Sequence, residues 1–221
     1  MTTIYATFLR TIINNYLPLF NTTKYKKILE EIELRHDDIL QDYDYANNIH
    51  ITSSEEDLIS IFNNRGYHPL ESEVIAFWKV RSSGEINRDL RDGVVNYKIQ
   101  LLDNAIERSV LIKPYILYRG LGVEQAEEVT GLLPGETYEP KQFTATSTNS
   151  DKAREYAADG GKVILEIRTR VSMTGLVFGD IEYESEILLP RNIKLRIIQS
   201  ENLISHVDNT QYIKILCEVV E

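Results

Sequence analysis

The sequence predicts an α+β protein in which helices come first and strands follow. Two observations carry this. Up to about Ser109 the apolar residues recur at helical spacing, and from Pro114 onward short apolar runs are separated by turn residues. A doubly wound sheet would need helices and strands to alternate, and here they do not. With 221 residues and 43% hydrophobic content, the chain can bury one good core.

The first half reads as a series of amphipathic helices. Lys24 to Leu40 sets Ile28, Leu29, Ile32, Ile39 and Leu40 among charges. Thr52-Ser53-Ser54-Glu55 supplies N-cap chemistry ahead of Leu58, Ile59, Ile61 and Phe62. After Gly66 and Pro69, the residues Val74, Phe77 and Trp78 share a helical face, where aromatics at this spacing read as core. Gly84 to Arg91 is a short helical stretch ending at Gly93, and Asn96 to Ser109 carries Ile99, Leu101, Leu102 and Ile106.

Strands follow. Tyr115 to Gly120 is a short candidate, Leu133-Pro134-Gly135-Glu136 is a turn, and Phe143 to Thr148 is a hydroxyl-rich strand. Ser150-Asp151 caps a short helix running through Tyr156. Val163 to Thr169 is a strand, Val171 to Tyr183 a loop with Gly175 and Gly179, and Ile193 to Gln199 and Tyr212 to Val220 close the chain. In the last segment Cys217 alternates in phase with Ile213, Ile215 and Val219, which marks it as a core thiol.

Charge narrows the partners. Thirty-four acidic against 24 basic residues give a net charge of -10, which disfavours nucleic-acid phosphates and anionic membranes and leaves proteins or small molecules. Met1 to Phe20 is interrupted by Arg10, Asn14 and Asn15 and has no basic leader, so it predicts neither a secretion signal nor a membrane span. His36, His50, His68 and His206 lack ligand spacing, and no metal is expected. There is no Gly-Lys-Ser/Thr phosphate loop, and Gly120-Leu121-Gly122 lacks the third glycine of a dinucleotide fingerprint.

The chemistry concentrates in Tyr183 to Pro190. As a strand, this stretch puts Glu184, Glu186 and Leu188 on one face. Two carboxylates about 6 to 7 Å apart repel by roughly 2 to 3 kcal/mol at an effective dielectric near 20. A solvated strand edge explains them without function; a fixed catalytic pair explains why they are adjacent. A glycoside hydrolase needs carboxylates on two sides of a bond, which neighbours on one strand do not provide.

Arg119 on the first strand, the Thr144 to Thr148 hydroxyls and Glu184 with Glu186, in that order, resemble the mono-ADP-ribosyltransferases of the arginine, serine, glutamate class. The likeness is to the enzymatic components of clostridial binary toxins and to T-even phage transferases. Tyr118-Arg119-Gly120, Phe143 to Ser147 and Glu184 to Asn192 resemble the three motifs, and Gly84 to Arg91 is similar to the toxins' Ile-Asn-x-x-Leu-Arg helix. The likeness covers roughly Leu70 to the C-terminus. It implies a mixed, mainly antiparallel core of two packed sheets, a catalytic domain over residues 70–221 and a helical elaboration over residues 1–69.

The resemblance further implies that NAD is the substrate and that ADP-ribose passes to an arginine of a target protein, with NAD hydrolysis alongside. The target would be actin or another host protein, met in the cytoplasm of a target or host cell. Arg119 would grip the pyrophosphate, Ser147 or Thr146 would position the nicotinamide ribose or the glutamate itself, and Glu186 would bind the ribose hydroxyl. Glu184 would activate the acceptor, Asn87, Gly120 and Phe143 would line the nucleotide site, and the Val171 to Tyr183 loop would meet the target. Three departures stand out. Ala145 replaces the first serine of Ser-Thr-Ser, and Ile181 stands where relatives have a loop aromatic, leaving Phe178 or Tyr183. A basic residue after the short helix falls on Gly160-Gly161. A degenerate transferase fold acting as a binding module is the competing expectation.

Overall fold

The computed structural model describes residues 38–43, 54–179, 184–204 and 210–220. All belong to a compact unit, Asp37–Glu221, distinct from Met1–His36. The helix expected over Lys24 to Leu40 lies outside the described residues as far as Asp37, and its last residues are not helical. Ile39–Gln41 form strand β1, parallel to β2 (Ser109–Leu111). Here a tertiary partner overrides the local period.

Four helices follow or flank this pair. α1 (Glu55–Asn64) is capped by Ser54, whose hydroxyl accepts from the Asp57 amide. α2 (Pro69–Phe77) starts with His68, whose ring accepts from the Leu70 amide while Glu71 accepts from the His68 amide at 2.7 Å. This is a capping box followed by proline in the first turn. α2 runs through a π-helical turn, Trp78–Ser82, into α3 (Ser83–Arg91). Asn96 caps α4 (Tyr97–Glu107) by accepting from the Lys98 and Ile99 amides. The Phe62 ring packs edge-on against Tyr67 and Phe178, each at 5.6 Å, which seats α1 on the sheet.

The remaining elements are β3 (Ile116–Leu121), α5 (Val123–Thr130), β4 (Thr137–Tyr138), β5 (Thr144–Ser147), α6 (Ser150–Ala158), β6 (Val163–Arg168), β7 (Leu176–Gly179), β8 (Glu186–Leu189), β9 (Lys194–Ile204) and β10 (Gln211–Val220). Eight strands form one mixed sheet in the order β4-β9-β10-β6-β3-β5-β8-β7, antiparallel throughout except where β10 meets β6. β3 and β5 share a single register pair, Tyr118 with Ser147, whereas β3 and β6 pair from Ile116 to Leu121. The sheet therefore nearly divides at this seam. Both halves contribute to one apolar cluster, with Leu117, Leu165 and Ile167 on one side and Val177, Ile187 and Leu189 on the other. Cys217 is buried in the same cluster, and burial pushes its thiol up to about 12.

Two strand assignments differ from the sequence pattern. The loop expected over Val171 to Tyr183 contains β7, which is wholly buried because its apolar run Leu176-Val177-Phe178 pairs with β8. Phe178 is therefore a core ring rather than a surface aromatic, and Ile181 and Tyr183 lie outside the described residues. β8 starts at Glu186, and Ser185 adopts the left-handed region at φ +51, so Glu184 lies ahead of the strand where the chain bends into it.

Gly120 is dictated by packing. A Cβ there would lie 2.2 Å from the Ala153 carbonyl oxygen and 2.6 Å from the Ala157 nitrogen, so helix α6 rests directly on the β3 backbone. Gly120 also lines the cleft, and the side on which a Cβ would stand is filled by α6. Gly120→Ala should lower the unfolding free energy by about 2 to 3 kcal/mol through overpacking, measured by urea denaturation. A loss below about 0.5 kcal/mol would mean that α6 does not press on β3 as described.

Candidate active site

Where the sheet nearly divides, a cleft of about 430 Å³ opens, lined from α3, β3, β5, α6 and the turn before β8. Its size is that of a small-molecule site. Tyr118, Ser147 and Glu186 lie in register across β3, β5 and β8, so the seam itself delivers them to the cleft. Arg119 follows Tyr118 on β3 and also lines it.

Glu184 and Glu186 converge although they do not share a strand. Both carboxylates pair with the Lys79 ammonium, Glu186 Oε2 at 2.8 Å and Glu184 Oε2 through a direct hydrogen bond. The second oxygen of each is held by an aromatic side chain. Trp78 Nε1 donates to Glu186 Oε1 at 3.2 Å, and Tyr156 Oη donates to Glu184 Oε1 at 2.8 Å. The two differ in depth. The Glu186 side chain is 9% exposed and that of Glu184 30%, while that of Lys79 is 2% exposed.

The electrostatics follow from this arrangement. Burial pulls the Lys79 ammonium down, but the attraction of Glu186 and then Glu184 outweighs it and lifts the group above the ordinary lysine range. It stays charged throughout neutral pH. The Tyr156 phenol is pushed up to about 12 by partial burial and by its bond to Glu184. Burial draws the Arg119 guanidinium below the usual arginine range, partly offset by Tyr138 and Glu186.

Arg119 Nη1 donates to the Ala145 carbonyl at 3.0 Å, so the guanidinium also braces β3 against β5 where ladder hydrogen bonds are sparse. The two hydroxyl candidates are separated by the strand's alternation. Thr146 donates to the Ile187 carbonyl, whereas Ser147 donates to the Glu184 carbonyl at 2.6 Å and accepts from the Asn149 amide at 2.9 Å. Ser147 thus holds the turn carrying Glu184 through its backbone. Ala145 lines the cleft, where a serine would have added a hydroxyl.

Phe143 does not reach the cleft. It is fully buried and packs edge-on against Trp78 with centroids 5.7 Å apart, which fixes the indole that holds Glu186. Asn87 does reach it, and its Oδ1 is buried without a hydrogen-bond partner. One turn along α3, Arg91 lines the cleft and donates to Gln142 at 3.2 Å. Gly160 and Gly161 could not carry a basic side chain: a Cβ at Gly161 would sit 2.1 Å from that of Ala126. The basic side chain that α6 brings to the cleft is Lys152.

Sequence reasoning missed Lys79 and Tyr156 and took Trp78 as core only. A signal for Lys79 was present: it is the one charge in the run Val74-Ile75-Ala76-Phe77-Trp78-Lys79-Val80. A lysine in such a run needs a buried partner. Among the described residues no group of three or more His, Cys, Asp or Glu forms a metal site, and no helix is long and apolar enough to cross a membrane.

A family model described as ADP-ribosyltransferase exoenzyme matches residues 18–220, beginning well ahead of Leu70. None of the curated proteins matches the chain in sequence. Among solved structures, the chain is similar to an ADP-ribosyltransferase from Clostridium botulinum, at 18% identity over 78% of this chain and 100% of that one, with a TM-score of 0.57. It is similar to the enzymatic component of the C2 toxin from Clostridium botulinum, at 16% identity over 75% of this chain and 47% of that one, TM-score 0.60. Exoenzyme S from Pseudomonas aeruginosa, solved with human 14-3-3 protein beta and bound to Carba-NAD, gives 15% identity, 80% and 86% coverage and a TM-score of 0.60. At these identities the likeness is one of fold.

Trp78 is the chain's one tryptophan, so its emission reports on this site. Glu186→Ala should shift that emission to longer wavelength as water replaces the carboxylate, while Glu218→Ala on the distant β10 strand leaves it unchanged. An unshifted Glu186→Ala spectrum would contradict the indole contact.

Proposed function

Because the chain belongs to the ADP-ribosyltransferase exoenzyme family, we propose that it transfers ADP-ribose from NAD to an arginine of a target protein and hydrolyses NAD as a side reaction. The observation that carries this reading is the pair of carboxylates at two depths of one cleft, both held by Lys79. NAD fits the residues present. Asn87 offers a buried, unpaired amide oxygen, Arg119 offers guanidinium donors, and both line the cleft. Arg119 binds the pyrophosphate, with Lys152 of α6 also in the cleft lining, and Thr146 and Ser147 border the nicotinamide ribose.

The inner carboxylate, Glu186, accepts from a ribose hydroxyl and faces the positive charge that develops on the sugar as the bond to nicotinamide breaks. The electron pair of that bond leaves with nicotinamide. The outer carboxylate, Glu184, meets the acceptor guanidinium, orients one nitrogen toward the ribose carbon and takes its proton as the new bond forms. Ser147 keeps Glu184 in place through its carbonyl. The acceptor is an arginine of actin or another host protein, met inside the target cell.

Ala145 favours a second reading, a transferase fold that binds but does not turn over, since it removes a hydroxyl from the cleft wall. NAD consumption by the purified protein separates the two. The roles of the glutamates are separated by following nicotinamide release and labelled arginine acceptor in parallel. Glu186→Gln should lower both by about 10²-fold or more, and Glu184→Gln should suppress acceptor labelling while nicotinamide release persists. Equal loss of both signals in Glu184→Gln would place that residue in bond breaking instead.

A further inference from the structure

We infer that Lys79 is a positioning residue of the reaction: its ammonium clamps Glu184 and Glu186 as one ionised pair, one for each partner of the transfer. The inference rests on the reading above, in which the two carboxylates serve NAD and acceptor. It begins with the π turn. Trp78 and Lys79 are consecutive, yet both reach Glu186, at 3.2 and 2.8 Å. The turn spans Trp78–Ser82, and such wide turns inside helices recur at functional sites.

The surroundings of Lys79 leave it few alternatives. Facing it are Glu186 from β8, Glu184 from the preceding turn and the Phe178 ring from β7, whose centroid is 5.6 Å from Nζ. Tyr156 from α6 reaches the group through Glu184, and Arg119 from β3 acts on Glu186 from the cleft side. Lys79 is the cation that touches both carboxylates; Arg119 instead donates to the Phe143 and Ala145 carbonyls and to Gln125.

The clamp settles which oxygens remain for the substrates. Each carboxylate spends Oε2 on Lys79 and presents Oε1 elsewhere, Glu186 toward Trp78 and Glu184 toward Tyr156. Tyr156 is 63% exposed, so its hydroxyl yields readily to an incoming guanidinium at Glu184 Oε1. The Lys79 side chain itself is only 2% exposed. Without the ammonium the two carboxylates repel each other uncompensated, which favours proton uptake by one of them, and whichever takes up a proton is lost as a base or as a charge stabiliser.

A reaction that needs both carboxylates ionised loses rate as pH falls, and removing the cation moves that acid limb to higher pH. The test compares wild type, Lys79→Met and Lys79→Arg. Transfer of labelled ADP-ribose from NAD to an arginine acceptor, the step that uses both carboxylates, is followed from pH 5 to 9, with thermal melts to establish folding. Lys79→Met should lose about tenfold or more in turnover at pH 6, recover toward pH 9, and shift its acid limb upward by about one unit or more. Lys79→Arg keeps the charge and should keep the limb where wild type has it. A folded Lys79→Met with a uniformly scaled, unshifted profile would overturn the inference and leave Lys79 a packing residue.

A second measurement stands apart from activity. Carboxylate 13C signals of Glu-labelled protein, assigned with Glu184→Gln and Glu186→Gln, are followed over the same range. In wild type both should keep their ionised positions through neutral pH, and in Lys79→Met one should not. If wild type turns over no NAD, the proposed function fails, while the 13C titration still decides the clamp. A wild-type signal that titrates at neutral pH would overturn it even should Lys79→Met fail to fold.

Discussion

One ammonium shared by two carboxylates organises this site. Lys79 lies 2.8 Å from Glu186 and bonds to Glu184, with its side chain almost wholly withdrawn from water. At an effective dielectric near 20, a contact at that distance attracts by about 6 kcal/mol. Desolvating three charges costs several kcal/mol for each, so the cluster is close to break-even as a stabiliser. What it secures is geometry: two acidic groups at fixed and different depths, with Oε2 of each on the same ammonium. Losing a single member would be costly, because the others would remain buried without compensation.

The rest of the fold is arranged to present that cluster. The sheet stays continuous through Tyr118 and Ser147 but thins to one register pair there, which opens a cleft while keeping Ser147 and Glu186 paired across β5 and β8. Arg119 bridges the gap by donating to the Ala145 carbonyl, so the residue expected at the pyrophosphate also maintains the seam. Phe143 and Trp78 form the floor beneath Glu186. α6 lies on β3 over Gly120 and carries Tyr156 to the rim. The side chains that touch the cleft are thus each tied to an element whose placement has its own packing reason.

Much of this was legible in the chain. Helical spacing around Leu58 and Phe62, the N-cap chemistry at Thr52 to Glu55 and the strand over Val163 to Thr169 all report local preferences that the tertiary structure keeps. Arg119, Ser147, Glu184 and Glu186 were found because their order along the chain resembles a family pattern. What stayed hidden depends on contacts distant in sequence. Lys79 is 105 residues from Glu184 and reads as one lysine on a helix. β7 looked like a loop because Gly175 and Gly179 flank it, yet pairing with β8 makes it a strand. The packing of α6 on Gly120 was equally hidden, because that helix meets β3 only in the folded state.

If the cleft at the seam receives NAD, its nicotinamide ribose must lie at the inner carboxylate. A crystal structure with a non-hydrolysable NAD analogue tests this most directly. The expected result is a ribose hydroxyl within hydrogen-bond distance of Glu186, the pyrophosphate against Arg119, and Lys79 still joined to both carboxylates. An analogue bound away from Glu186, or Lys79 turned from the carboxylates to contact the nucleotide, would contradict it.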